Sequence, residues 1–449
     1  MHHTLKRTGA ALALWLLALS APVLAQGAPE VAFGDHLVVI PDARAKATSF
    51  WMIVKAGCRD EDHGECHGLA HYVEHLVFLG RNADHKAVGV GFFADAQTNG
   101  YTTHISTVYT QKFPLRPEGQ LDDLEKLFRF HAERLVSLDF SEEDARRERG
   151  VVLQEYALRF GRSPASNFYY KMERDLHPNH PIGQAAIGSI DDINGFTTDA
   201  ARAFHKKWYT VGNAMFVVHG PVEPEAVKAL YDKYIGSLPA RSVPDRAWLN
   251  ARFDFTPAQF SEALVDKAIG QKSFWLGKTV RYEEDDARRL SEARGLLSNY
   301  LNSSLDGSPK DILVDQKSLA KSMGYVSLNR LVAGALELNV QATPEETTSD
   351  AGMAKGIADY FVGLAKTGLT GKVLDRLKKR AAEAFVQRDK QPGDVAEAIV
   401  DWLGSHRPYS EYHERAQMIA SVTLEDVNLL LTALAQPGRQ VTGTLAPAP

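Results

Sequence analysis

The segment His71-Tyr72-Val73-Glu74-His75 limits most strongly what this chain can fold into. It lies in the largely apolar run Leu69 to Leu79, which has helical character, with Gly80 as its C-cap. On a helix, residues i and i+4 share a face and i+3 lies beside them. Two imidazoles then stand one turn apart and can grip one metal ion, with a carboxylate on the same side. Zinc suits this set, because imidazole and carboxylate are ordinary zinc ligands and a catalytic site keeps a fourth position open for water. The ion lowers the pKa of that water towards about 7, and a nearby carboxylate takes its proton.

A bare pair of histidines on a helix is usually solvated or buried in a core. Glutamate at the inverted position, followed directly by the second histidine, makes the H-x-x-E-H inverzincin signature. His71 and His75 are therefore candidate zinc ligands, and Glu74 is a candidate general base. A third ligand is needed. Ser141-Glu142-Glu143-Asp144 reads as an N-cap box opening a long helix through about Phe160. On that helix Glu148 and Glu155 are about two turns apart and share a face. Periodicity does not say which of them reaches the metal.

Met1 to Ala25 has the form of a secretory signal peptide. Lys6 and Arg7 precede the uncharged stretch Ala10 to Leu19, and small residues, Val23 and Ala25, precede the cut. The apolar stretch is shorter than the roughly 20 residues of a spanning helix. The mature chain is expected to be exported, and periplasmic in a Gram-negative host. No later stretch is apolar enough to span a membrane. The 51 Lys+Arg against 56 Asp+Glu argue against nucleic acid as a partner.

Short β-branched runs predict strands at 38–40, 48–54, 102–109, 214–218, 273–280 and 335–342. Apolar periodicity predicts helices at 121–138, 223–234, 287–303, 354–365 and 373–387. Ser49-Phe50-Trp51 recurs as Ser273-Phe274-Trp275, each time opening a strand, as a relic of duplication would. The expected organisation is a signal peptide (1–25), an N-terminal zinc-binding domain (26–240), a linker (241–260) and a C-terminal domain (261–449). Both domains are expected to be α+β, each a mostly antiparallel sheet covered by helices, paired as a clamshell. Trp51 and Trp275 read as core. His104, His131, His177, His180 and His219 read as surface or core residues rather than ligands. Cys58 and Cys66 flank a polar loop, 57–68, before the zinc helix, and in an oxidising compartment they would form a disulfide. The alternative is a second metal site with His63 and His67.

Gly68-Leu69-Ala70-His71-Tyr72-Val73-Glu74-His75-Leu76-Val77-Phe78-Leu79-Gly80 resembles the zinc helix of the insulinase/pitrilysin family. The nearest likeness is to its short branch, which includes mitochondrial processing peptidase and bacterial relatives, and it covers essentially the whole mature chain. Asn99-Gly100-Tyr101-Thr102 resembles the family's N-A-x-T strand. Tyr209…Asn213…Gly220 resembles its Y-x-x-x-N…G stretch, Glu148…Glu155 its distal glutamate pair, and Thr343-Pro344-Glu345 fits the second domain. The resemblance implies one zinc ion per chain, bound by His71, His75 and Glu155. Glu74 would be the general base and Glu148 a support for the site. Asn99 would lie on a strand whose edge receives the substrate peptide as an added strand. The implied activity is that of a zinc endopeptidase acting on short or unfolded peptides.

The chain departs from the family in its second half. There a pattern like S-x-L-x-x-x-L-R-E-x-x-G-L-A-Y supplies an Arg and a Tyr that bind substrate and stabilise the oxyanion. Across Ser308 to Lys321, Val314 stands at the Arg position and Lys321 at the Tyr position. Valine cannot donate a hydrogen bond. The expectation is therefore a catalytic subunit of a heterodimer whose related partner supplies the Arg/Tyr pair, or otherwise a homodimer. A shifted alignment in which Tyr325 or Arg330 fills the role is the competing reading. Two other functions remain open: a non-catalytic interaction subunit, and a zinc hydrolase of non-peptide substrates.

Overall fold

A computed structural model describes residues 30–62, 65–79, 97–115, 120–178, 180–246 and 253–448. The expected signal peptide, His63, Gly80 and the centre of the expected linker lie outside the described residues. The first half comprises β1 (Val31–Phe33), β2 (Leu37–Pro41), β3 (Ala47–Val54), α1 (Leu69–Leu79), β4 (Gln97–Thr102), β5 (Thr107–Pro114), α2 (Gln120–Val136), α3 (Glu142–Tyr156), α4 (Pro164–Leu176), α5 (Ile190–Gly195), α6 (Thr198–Trp208), β6 (Ala214–Gly220) and α7 (Pro224–Tyr231). The second comprises β7 (Ala258–Asp266), β8 (Ser273–Arg281), α8 (Ala287–Leu301), β9 (Ala320–Val332), β10 (Ala335–Pro344), α9 (Asp350–Thr367), α10 (Gly371–Arg388), α11 (Pro392–Gly404), α12 (Arg415–Ser421), α13 (Leu424–Ala435) and β11 (Arg439–Pro447).

Each half builds its own sheet. The strand orders are β1-β2-β6-β3-β5-β4 and β7-β11-β8-β10-β9. Neighbours are antiparallel except β2 with β6 and β7 with β11. Without β1, the two orders match strand for strand. The Ser-Phe-Trp repeat falls on the matching strands β3 and β8, where Phe50 and Phe274 are fully buried. The fold is thus the expected α+β pair, with one parallel ladder in each sheet.

One face of each sheet is covered by helices of its own half. The other face is covered by exchange. Helix α4 of the first half sets Phe168, Met172 and Leu176 against Trp275, Val441 and Leu445 of the second sheet. Helix α11 of the second half sets Val395, Ile399, Val400 and Leu403 against Val38, Ile40, Ile53 and Val217 of the first. Gly443 lets α4 approach this closely, since a Cβ there would lie 1.9 Å from Met172 Sδ. At the end of α4, His177 Nε2 meets Glu337 of β10 at 2.5 Å.

Three local expectations change. The strand expected over 102–109 is instead a hairpin, since β4 ends at Thr102 and β5 begins at Thr107. The Thr103 hydroxyl accepts from Ile105 N and Ser106 N, so the side chain turns the backbone where alternation alone reads as continuous strand. Strand β7 begins at Ala258, within the stretch read as linker. The polar loop before α1 is not solvated at its start, where Cys58 to Asp60 form a buried 3₁₀ turn. The seating of α4 on glycine can be tested. Gly443→Val should cost about 1–3 kcal/mol by overpacking, seen as a lower Tm and faster proteolysis before α4; an unchanged Tm would show that the helix does not bear on this strand.

Candidate metal centre

Helix α1 is held at its start by a side chain from the preceding loop. The Glu61 carboxylate accepts from His67 N at 2.7 Å and Ala70 N at 3.0 Å, satisfying N–H groups that a helix start leaves unpaired. Gly68 has φ +92°, and a Cβ there would meet the Ile187 carbonyl oxygen at 2.1 Å. Only glycine fits. Cys58 and Cys66 form a disulfide across this loop. Helix α3 opens on the expected Ser141/Asp144 capping box and continues into a π-helical turn over Ala157–Gly161.

The crossing of α1 and α3 brings His71, His75 and Glu155 together. Glu155 Oε2 lies 3.5 Å from His71 Nε2 and 3.4 Å from His75 Nε2. Ligands about 2.1 Å from a tetrahedral zinc ion stand about 3.4 Å apart, so these spacings fit one ion between them. Glu148 lies 3.4 Å from His75 Nδ1, where it fixes the ring's tautomer and orientation. The two glutamates that share a face of α3 therefore address opposite nitrogens of one imidazole. The buried Nδ1 of His71 finds no partner among the described residues. Arg159, in the π turn, pairs with the other oxygen of Glu155.

The local electrostatics favour a cation at the centre. Burial opposes charge on His75, yet its hydrogen bonds to Glu148 and Glu155 hold its pKa up at about 9. Burial, then the neighbouring His75, holds His71 down at about 4. A divalent ion would answer the same carboxylates with both imidazoles neutral. Burial lifts Glu74 to about 7, against the Thr102 hydroxyl that donates to it at 2.7 Å. A carboxylate near 7 is poised to exchange protons at neutral pH. Asn99 is exposed on β4, paired with Thr110 of β5. Strand β4 is the outer strand of its sheet among the described residues.

A second group, Glu173, His177 and Glu337, lies between the halves. There His177 stands 2.5 Å from Glu337 and 3.8 Å from Glu173. The short edge is a direct hydrogen bond, so the group reads as a hydrogen-bonded pair rather than a metal cradle. Reasoning from sequence singled out neither Glu61 nor Arg159. No spacing rule marks a carboxylate that caps a helix from the loop before it.

Two family descriptions match the chain. "Insulinase (Peptidase family M16)" covers residues 37–159 and "Peptidase M16 inactive domain" covers 195–381. The chain belongs to the insulinase family. Among M16 relatives, zinc protease PqqE of Helicobacter pylori is 26% identical over 78% of this chain and 77% of its own length. The probable zinc protease PqqL of Escherichia coli is 25% identical over 48% of this chain, but that span is only 23% of PqqL. A solved protease from Helicobacter pylori superposes with a TM-score of 0.73 at 22% identity, over 93% of this chain and 99% of its own. The first half of the periplasmic protease PqqL from Escherichia coli gives 0.73 at 16% identity, over 93% and 91%.

For this insulinase-family chain, elemental analysis should find one zinc per chain. His71→Ala should abolish binding, and Glu148→Gln should weaken it about 10- to 100-fold in chelator competition. Full zinc retention by His71→Ala would place the ion elsewhere.

Proposed function

We propose that this chain is an exported zinc-dependent endopeptidase acting on short or unfolded peptides. The observation that carries the reading is the convergence of His71, His75 and Glu155 at zinc-ligand spacing, with Glu74 beside them and the edge of β4 next to Glu74. When bound, zinc supplies Lewis acidity, polarising a carbonyl and acidifying water. Glu74 takes the proton of the attacking water and returns it to the leaving amine nitrogen, a transfer its buried carboxyl suits. The exposed edge of β4 pairs with the backbone of an extended peptide, giving affinity without a required sequence. Glu148 keeps His75 in register, and Arg159 holds the outer oxygen of Glu155. The printed names of relatives, zinc proteases and in one case a periplasmic protease, support the same reading, as does the signal-like start of the sequence.

The oxyanion donors are proposed to come from a related partner subunit. Val314 packs its side chain against the second core. Lys321 is exposed and pairs with Glu346 at 2.8 Å. Arg330 is tied to Glu284 at 2.8 Å, while Tyr325 is largely exposed.

A quenched mixed-peptide library tests the function. The zinc-loaded mature chain should cleave it slowly, and Glu74→Gln should abolish cleavage while keeping zinc. A partner that supplies the donors should raise the rate about 100- to 1000-fold. Cleavage that survives in Glu74→Gln would overturn the assigned base, and full activity of the lone chain would overturn the partner.

A further inference from the structure

The sequence singled out Thr102 and Tyr209 by resemblance alone, and the proposed chemistry uses neither directly. The structure joins them. Thr102 Oγ1 donates to Glu74 Oε2 at 2.7 Å. Thr102 Oγ1 lies 3.5 Å from the hydroxyl of Thr107, across the hairpin turn. Thr107 donates to the Ala56 carbonyl at 2.9 Å and is hydrogen-bonded to the Tyr209 hydroxyl. The Tyr209 hydroxyl in turn meets that of Tyr109 at 2.6 Å. Thr107, Tyr109 and Tyr209 are fully buried.

Each hydroxyl has one proton to give. Thr107 gives its proton to Ala56, so it does not donate to Thr102, and the Tyr209 hydroxyl beside it takes up part of its remaining hydrogen-bonding capacity. At 3.5 Å the contact between the two threonines is much the longer of the two that Thr102 Oγ1 makes. Thr102 is then left with Glu74 as its one close acceptor. On the other side of the carboxylate, Gly100 leaves the space it occupies, since a Cβ there would lie 2.6 Å from Glu74 Oε1.

We infer that Thr102 is a positioning residue for Glu74, and that the buried Tyr109–Tyr209–Thr107 hydroxyl column fixes the direction in which Thr102 donates. This rests on the reading of Glu74 as the general base. Misplacing a reacting group by about 1 Å costs about 100-fold. Thr102→Val, nearly isosteric but without a donor, should lower kcat about 10- to 100-fold with KM and zinc content unchanged, and Thr102→Ser should restore most of it. Tyr209→Phe should lower kcat a few-fold in the natural chain and not at all in the Thr102→Val background. Wild-type kcat in Thr102→Val, or an equal loss from Tyr209→Phe in both backgrounds, would overturn the inference. If the zinc-loaded natural chain cleaves nothing, alone or with a partner that supplies the donors, the peptidase reading fails by itself. The contact is then judged by the Tm values of Thr102→Val, Glu74→Gln and the double variant. Non-additive shifts support it and additive shifts overturn it.

Discussion

The hydroxyl of Tyr72 donates to the carbonyl of Ala145 across 2.7 Å, in the buried seam between α1 and α3. This contact fixes the crossing on which the rest of the site depends. Tyr72 adjoins His71, and Ala145 lies one turn before Glu148. The same ring stacks on Phe196 at 5.0 Å, which bars α1 from rotating about its axis. Glu61 holds the start of the helix, and β4 presses on its other side through the gap at Gly100. A zinc site tolerates ligand errors of only about 0.2 Å. Spacings of 3.4–3.5 Å between side chains of two helices therefore require the helices themselves to be immobile.

The two halves share a strand order but differ in the helix that follows the matching strands β3 and β8. Helix α8 occupies in the second half the chain position of α1, between the matching strands β8 and β9. It carries no histidine. Its buried Glu292 instead pairs with Arg407 at 3.2 Å and Arg415 at 3.1 Å. One half thus gathers histidines and a carboxylate at a candidate metal centre, and the other neutralises a buried carboxylate with arginines. The exchange of α4 and α11 then makes the halves interdependent, because each covers an apolar face that the other leaves bare.

How much of this was legible in the sequence follows from the range of each interaction. His71, Glu74 and His75 could be read because one helical turn contains all three. Glu148 and Glu155 could not be told apart, and the structure shows why: both reach His75, at different nitrogens, and only the crossing with α1 decides which faces His71. The sheets were legible where strands are buried, as in β3, β6 and β8. Strand β7 lies at a sheet edge with most side chains exposed, so no apolar run marked it. Helices α4 and α11 have clear apolar faces, but nothing local says that those faces belong to the opposite half. The disulfide was foreseen because two cysteines flank a short loop, whereas the role of that loop as a cap on α1 depends on where Glu61 folds.

The proposed division of labour between base and oxyanion would have a physical consequence for any partner. General-base help from Glu74 and stabilisation of a negative oxygen act on the same transition state, so their contributions are realised together and only in a closed, water-poor site. On that reading this chain would supply the base, Glu74, from a helix most of whose residues are buried. At the aligned positions of its second half it offers valine packed in a core and a lysine turned to solvent. The valine carries no donor, and the lysine is held at the surface by Glu346. On the proposed reading, a donor pair from a second subunit would meet a peptide laid along β4, the outer strand of its sheet among the described residues. The site is then completed, on that proposed reading, by docking rather than by internal motion.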